Sequence, residues 1–181
     1  MARRQELFLQ RLEGAKERLL KVIADLDEAT LTGEHIVGDW TVKDILGHLV
    51  SWDEEFRADI QAIIRGEHPG YMRLISGEDD FSQWNEGWRA QKRLWSWERL
   101  YTDLERDFLE ARQLILCLRP QDYRKRGVTP WKRAAFIKPV ALTAADTDSV
   151  ETLVTFHWRH INQHTRMIEQ WKRRNKRQGV P

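Results

Sequence analysis

The chain has 181 residues, of which 41% are hydrophobic and 32% are charged. That length suits one domain, and the composition is too apolar for a disordered chain. The 30 lysines and arginines nearly cancel the 28 aspartates and glutamates, which disfavours a polyanionic partner such as nucleic acid. No apolar run approaches the ~20 residues of a membrane span, and a single cysteine excludes an internal disulfide. We therefore predict one cytoplasmic domain over residues 1–181 that does not enter a membrane.

Hydrophobic periodicity predicts helices over residues of about 3–26, 41–65, 81–118 and 148–174. The second of these is expected to begin at Thr41, because Thr41 and Asp44 have the spacing of a capping box. Residues 119–147 hold three of the five prolines and have no sustained helical period. The predicted fold is therefore all-α, a four-helix bundle with a long crossover loop before the last helix.

The apolar face of the last predicted helix contains three histidines. Its members follow one another at steps of three and four residues, so all project to the same side: Leu153, His157, His160, His164, Met167 and Trp171. A buried imidazole without a partner costs roughly 1–3 kcal/mol. Each of these histidines therefore needs something to bind.

A divalent transition metal is one such partner. His160 and His164 lie one helical turn apart, about 6 Å along the axis, so both rings can reach one ion. His48 flanks the apolar face of the second predicted helix and is the candidate third ligand. The alternative is a polar core in which the histidines bond to carbonyls, waters or one another. Spacing alone leaves both interpretations open.

Three neighbouring residues are candidates for supporting the site or lining its pocket. His157 precedes His160 by one turn and is not predicted to be a ligand. Asp44 precedes His48 by one turn and is a candidate acceptor for that ring, although a helix cap explains it equally well. Trp52 is either a core residue or part of an apolar pocket wall for a hydrophobic or planar substrate.

Two charged runs are interpreted as solvated helix surface. The first is the acidic run at 53–55, which follows Trp52. The second, at 172–177, places five cations in six residues at the end of the last predicted helix, where they complement the helix dipole. Nucleic-acid binding by this run is the weaker alternative, because no aromatic residue is interleaved there.

Residues 38–52, with the sequence GDWTVKDILGHLVSW, resemble the second-helix signature of the DinB-like superfamily, G-x-W-[ST]-V-K-D-x-L-x-H-[LI]. The sequence WNE at 84–86 is similar to its F-N-E motif, with Trp84 where the family usually has Phe. Trp97-Glu98 and Leu104 resemble its S-W-E…L run, and residues 160–164 fit its final H-x-x-x-H. The pattern is most similar to the ClbS/DfsB-like branch, apart from a basic, insertion-like stretch at 124–138.

The resemblance implies a four-helix bundle, often a homodimer, with a three-histidine site for a divalent transition metal such as zinc or nickel. Carried over position by position, the ligands are His48, His160 and His164. Three neutral ligands leave a coordination position open. The implied function is a metal-dependent enzyme that hydrolyses a small reactive substrate or transfers a low-molecular-weight thiol to it. A non-catalytic protein that sequesters such a molecule is the alternative, and no catalytic side chain is predicted.

Overall fold

We describe a computed structural model of the chain over residues 2–67, 78–127 and 148–178. Its helices are α1 Ala2–Ile23, α2 Glu28–Gly33, α3 Val42–Arg65, α4 Glu78–Arg93, α5 Trp97–Cys117 and α6 Val150–Gln178. Two short antiparallel strand pairs accompany them, β1 His35–Val37 with β2 Trp40–Thr41 and β3 Arg126–Gly127 with β4 Asp148–Ser149. A 3-10 turn covers Asp122–Arg124.

Four long helices, α1, α3, α5 and α6, enclose the core. Both α1 and α3 pack against α5 and α6, so α1 lies diagonally opposite α3 across the bundle. The remaining long helix, α4, packs on α3 outside this ring. This arrangement confirms the predicted all-α, four-helix-bundle fold. Among the ranges described, no helix has the length and apolar character needed to cross a bilayer.

The central helix is α3, because it packs against α4, α5 and α6. Its start is fixed by the predicted capping box: Thr41 Oγ1 accepts from the Asp44 N–H at 3.1 Å, and Asp44 Oδ2 accepts from the Thr41 N–H at 2.9 Å. It ends at Gly66, whose positive φ of 77° belongs to the left-handed region that favours glycine. With these neighbours, 16 of the 24 residues of α3 are buried.

The segment predicted as one helix over 81–118 is two helices. The first ends at Arg93, and α5 begins after Ser96, whose Oγ accepts from the Arg99 N–H at 3.2 Å. This break lets α4 lie against α3. The two helices meet closely at Gly47, where a Cβ atom would stand 2.8 Å from Cβ of Lys92. Because Gly47 precedes His48, α4 lies beside the predicted metal ligand.

The predicted crossover loop over 119–147 is described at its beginning, and residues 128–147 lie outside the described part of the chain. The two ends of this segment lie side by side, because β3 pairs with β4 and places Arg126 opposite Ser149. The chain therefore leaves α5 and enters α6 at neighbouring points. The sequence did not predict α2 or the two strand pairs.

Candidate metal centre

Three histidines from α3 and α6 meet inside the bundle. Nε2 of His160 lies 3.1 Å from Nε2 of His48 and 3.0 Å from Nε2 of His164. The candidate ligand atoms of all three lie within 4.8 Å of one another. The structure therefore brings together the three rings that the sequence singled out.

The antiparallel packing of α3 on α6 creates this meeting point. His48 contacts His160, whereas Asp53, further along α3, contacts His157, which comes earlier in α6. Aromatic rings hold the histidines in place. Phe156 stacks on His160 with 5.7 Å between ring centroids. His48 and His160 are each only 8% exposed, and His164 is half-buried.

Burial keeps these imidazoles uncharged. It lowers the pKa of His48 to about 3, with the neighbouring His164 adding to the effect. Burial also lowers the pKa of His164 to about 4. The pKa of His160 falls well below its ordinary value, first through burial and then through the imidazoles around it. All three are therefore neutral at physiological pH, which is the form that binds a metal.

A divalent metal satisfies the three-histidine group better than hydrogen bonds among its own rings do. Each imidazole nitrogen offers one hydrogen or one lone pair, so the Nε2 atom of His160 cannot satisfy both neighbours. An ion can accept all three lone pairs. Nitrogens bound to a tetrahedral ion at ~2.0–2.1 Å stand about 3.3–3.4 Å apart, close to the 3.0 and 3.1 Å found here. With Nε2 on a metal, the buried Nδ1 atoms of His160 and His164 carry the ring protons. These Nδ1 atoms have no partner among the described residues.

The carboxylate of Asp44 serves the start of α3. Its oxygens accept from Thr41, as above, and from Arg93 at 2.6 and 2.8 Å. Within the described ranges none of its hydrogen bonds reaches His48. The geometry supports the capping interpretation. Burial is the largest single influence on the pKa of Asp44, and it raises that pKa. The hydrogen bonds from Arg93 and Thr41 together outweigh burial, so the pKa of Asp44 lies below its ordinary value.

Trp52 is both a core residue and a neighbour of the site. It is 4% exposed, and its ring centroid lies 6.1 Å from that of His48. Trp40 approaches His48 from another direction at 5.3 Å. Trp52 also packs edge-on against Trp84 at 4.9 Å and donates from Nε1 to Asn85 Oδ1 at 3.1 Å. These tryptophans form an apolar wall beside the histidines.

His157 is buried but lies outside the three-histidine group. Its Nε2 atom is 2.5 Å from Oδ1 of Asp53. Asp53 belongs to the acidic run that we expected to be solvated, and for this residue the expectation is wrong, since Asp53 has no exposed surface. The acidic residue faces α6 because α3 is enclosed on several sides. The sequence therefore missed Asp53 as a residue near the site.

Acidification is expected to destabilise the metal-free protein. Burial holds the pKa values of His48 and His164 at about 3 and about 4, below the ~6.5 of the unfolded chain. At a pH between the folded-state and the unfolded-state pKa values, His48 and His164 bind a proton in the unfolded chain and not in the folded one. The free energy of unfolding therefore falls as the pH falls, by about 1.4 kcal/mol per pH unit for each such proton.

Urea unfolding of chelator-treated protein at a series of pH values measures this slope. Replacing both residues, His48→Gln with His164→Gln, should make the slope shallower, while His160, whose pKa burial also lowers, keeps its own contribution. The matched control is His35→Gln, which removes an exposed histidine of β1 and should keep the wild-type slope. Equal slopes in the double variant and the wild type would contradict the prediction.

Fold and site together define a helical bundle protein with a three-histidine group suited to a divalent metal. The family model of the DinB superfamily matches residues 11–168. The chain therefore belongs to the DinB superfamily. No curated protein shows significant similarity to it.

Among solved structures the chain is similar to YfiT from Bacillus subtilis, described as a probable metal-dependent hydrolase with an unusual four-helix bundle topology. The TM-score is 0.70 at 17% sequence identity, over 96% of this chain and 89% of YfiT. At this level of identity the likeness establishes the shared fold.

Proposed function

We propose that the chain is a metal-dependent hydrolase whose ion is held by His48, His160 and His164. The observation that carries this proposal is the convergence of three neutral imidazoles, with Nε2 atoms 3.0 and 3.1 Å apart around His160. Membership of the DinB superfamily and the description of YfiT as a probable metal-dependent hydrolase support it. Three protein ligands suit a catalytic ion, since they leave a position for water or substrate.

When bound, a divalent ion in such a group supplies a Lewis acid and lowers the pKa of a coordinated water towards ~7. The protein's own residues keep the three ligands uncharged and control access to the ion. His48 and His160 lie deep, at 8% exposure each, whereas His164 is half-buried. We propose that solvent and substrate approach from the side of His164, the least covered of the three.

The tryptophans beside His48 indicate the kind of substrate. Trp40 and Trp52 lie 5.3 and 6.1 Å from the His48 ring, and Trp84 extends the same wall. Flat apolar rings next to a few polar atoms are typical of pockets for small organic molecules. We propose a small electrophile with an apolar or planar portion that rests against Trp40 and Trp84, the part-exposed members of this wall, while Trp52 backs the site from the core.

The finer features implied by the sequence resemblance are proposals of the same kind. A zinc or nickel ion also accepts a thiolate, so the same three histidines would serve transfer of a low-molecular-weight thiol to the electrophile. Membership of the ClbS/DfsB-like branch and a location in the cytoplasm likewise stay predictions. The non-catalytic alternative needs the pocket but not the ion.

Hydrolysis of an activated phenyl ester tests the proposal. Protein reconstituted with zinc or nickel should hydrolyse the ester, a chelator should abolish the activity, and added ion should restore it. His48→Ala should be inactive, whereas His35→Gln, at an exposed position of β1, should match the wild type. Formation of a thioester with an added thiol, with release of the phenolate, would favour transfer. Chelator-insensitive stabilisation by the ester without turnover would favour the sequestering protein instead.

A further inference from the structure

Asp53 is a buried carboxylate close to the metal centre. It lies on α3 with no exposed surface. Neither of its oxygens has a hydrogen-bond partner among the described residues. Its one ion-pair contact there is with His157, at 2.5 Å between Oδ1 and Nε2, and this contact does not have the geometry of a hydrogen bond.

Four other buried aspartates of the described chain have a fixed cation. Each pairs with an arginine, as Asp44–Arg93, Asp103–Arg106, Asp107–Arg57 and Asp122–Arg119. A buried charge needs such a partner, because removal from water costs several kcal/mol, by order of magnitude. Among the described residues the ion-pair partner of Asp53 is an imidazole. Asp53 therefore has no arginine of its own there, since Arg57, one turn further along α3, is paired with Asp107, whose carboxylate is an electrostatic neighbour of Asp53.

The three-histidine group lies next to the Asp53–His157 contact, displaced from it along the long axis of the bundle. His157 precedes His160 by about 4.5 Å along the axis of α6, and Asp53 follows His48 by about 7.5 Å along the axis of α3. The ring of Phe56 packs against both His157 and His160, at 5.6 and 6.2 Å between centroids. The carboxylate and the histidine group are thus separated by one layer of packed rings.

A divalent ion bound by three neutral imidazoles brings two uncompensated positive charges into this interior. We propose that Asp53 is the buried counter-charge of the metal centre, and that it stabilises the bound ion from the adjacent level without touching it. The attraction is strong for its distance because Asp53, Phe56 and His160 are all buried, where the effective dielectric constant is lower than in water. His157 holds the carboxylate in place. This inference rests on the proposed metal site.

Binding of Co²⁺ tests the role of the charge. Visible absorption bands report the ligand geometry, and competition with a chelator reports the affinity. Asp53→Asn keeps the shape and removes the charge, so it should weaken Co²⁺ binding by about tenfold or more, the range seen when residues that support metal ligands are replaced. Its absorption bands should match the wild type, because the three histidines still bind the ion.

The matched variant is His157→Gln. Its amide keeps a polar side chain beside Asp53 and leaves the negative charge in place, so its Co²⁺ affinity should equal or exceed the wild-type value. A purely structural role for the contact predicts the opposite, an equal loss in both variants. If Asp53→Asn alone does not fold, the double variant with His157→Gln replaces the contact by two amides and carries the same test.

Wild-type affinity in Asp53→Asn, or an equal loss in His157→Gln, would overturn the inference. The proposed metal site is judged separately in the same titration. If the wild type binds no more Co²⁺ than His160→Ala does, the proposed metal site is wrong, and the proposed role of Asp53 fails with it. If the wild type binds and His160→Ala does not, the comparison of the Asp53 and His157 variants decides the inference alone.

Discussion

Replacing His160 with alanine should leave the purified protein without its divalent metal. His160 stands between the other two ligands, with its Nε2 atom 3.1 Å from that of His48 and 3.0 Å from that of His164. Loss of a supporting residue near a metal costs about 10–100-fold in affinity, and loss of a ligand should cost more than about 100-fold. Metal analysis after purification, followed by a zinc titration, measures the change.

His48→Ala supplies an independent test from the other helix. Because His48 belongs to α3 and His160 to α6, loss of metal in both variants would assign the ion to the seam between these helices. His35→Gln, an exposed histidine on β1, is the matched control and should keep the wild-type content. Circular dichroism checks that each variant is helical. Unchanged metal content in His160→Ala would remove the basis of the proposed function.

The histidine group could be predicted because α6 has one buried face. Residues spaced by three and four along such a helix must project together, so His160 and His164 were expected to share a direction. His48 was expected from the apolar face of α3. Sequence could not supply the distance between the helices or the neutral state of the rings. Both follow from packing, which lowers the pKa of His48 to about 3.

Asp53 could not be predicted, because periodicity fails on an enclosed helix. On α3, 16 of the 24 residues are buried, and α4, α5 and α6 pack around it, so the acidic residue next to Trp52 falls on a covered side of the helix. The acidic run at 53–55 suggested an exposed surface only because most helices have one solvent-exposed face. The arrangement of three neighbours around α3 is a tertiary property that local pattern does not contain.

The break between α4 and α5 was missed for a related reason. The apolar period continues through Trp95 to Leu100, which favours one unbroken helix over 81–118. A local signal existed, since Ser96 has the side chain of an N-cap and Glu98 lies in the first turn that follows. The contact of Lys92 with Gly47 explains why the chain turns there, and that contact depends on the fold.

Phe56→Ala is expected to be the most damaging single change to the core. Phe56 is fully buried, and its ring packs against Trp52 at 5.4 Å, Phe156 at 5.5 Å and His157 at 5.6 Å. Truncating a buried phenylalanine costs about 3–5 kcal/mol. For a domain of this size that corresponds to a fall in Tm of roughly 6–20 °C. Thermal and urea unfolding of chelator-treated protein measure both quantities.

The same substitution should weaken metal binding, since the ring of Phe56 also packs against His160 at 6.2 Å. A cavity there lets the imidazole leave the position from which its Nε2 atom faces the other two. Phe56→Leu refills part of the space and should cost less than Phe56→Ala, with binding largely kept. Leu109→Ala, at a leucine that is 63% exposed, should stay within about 0.5 kcal/mol of the wild type. If Phe56→Ala were no more harmful than Leu109→Ala, the ring could not be the packing link between the core and the histidine group.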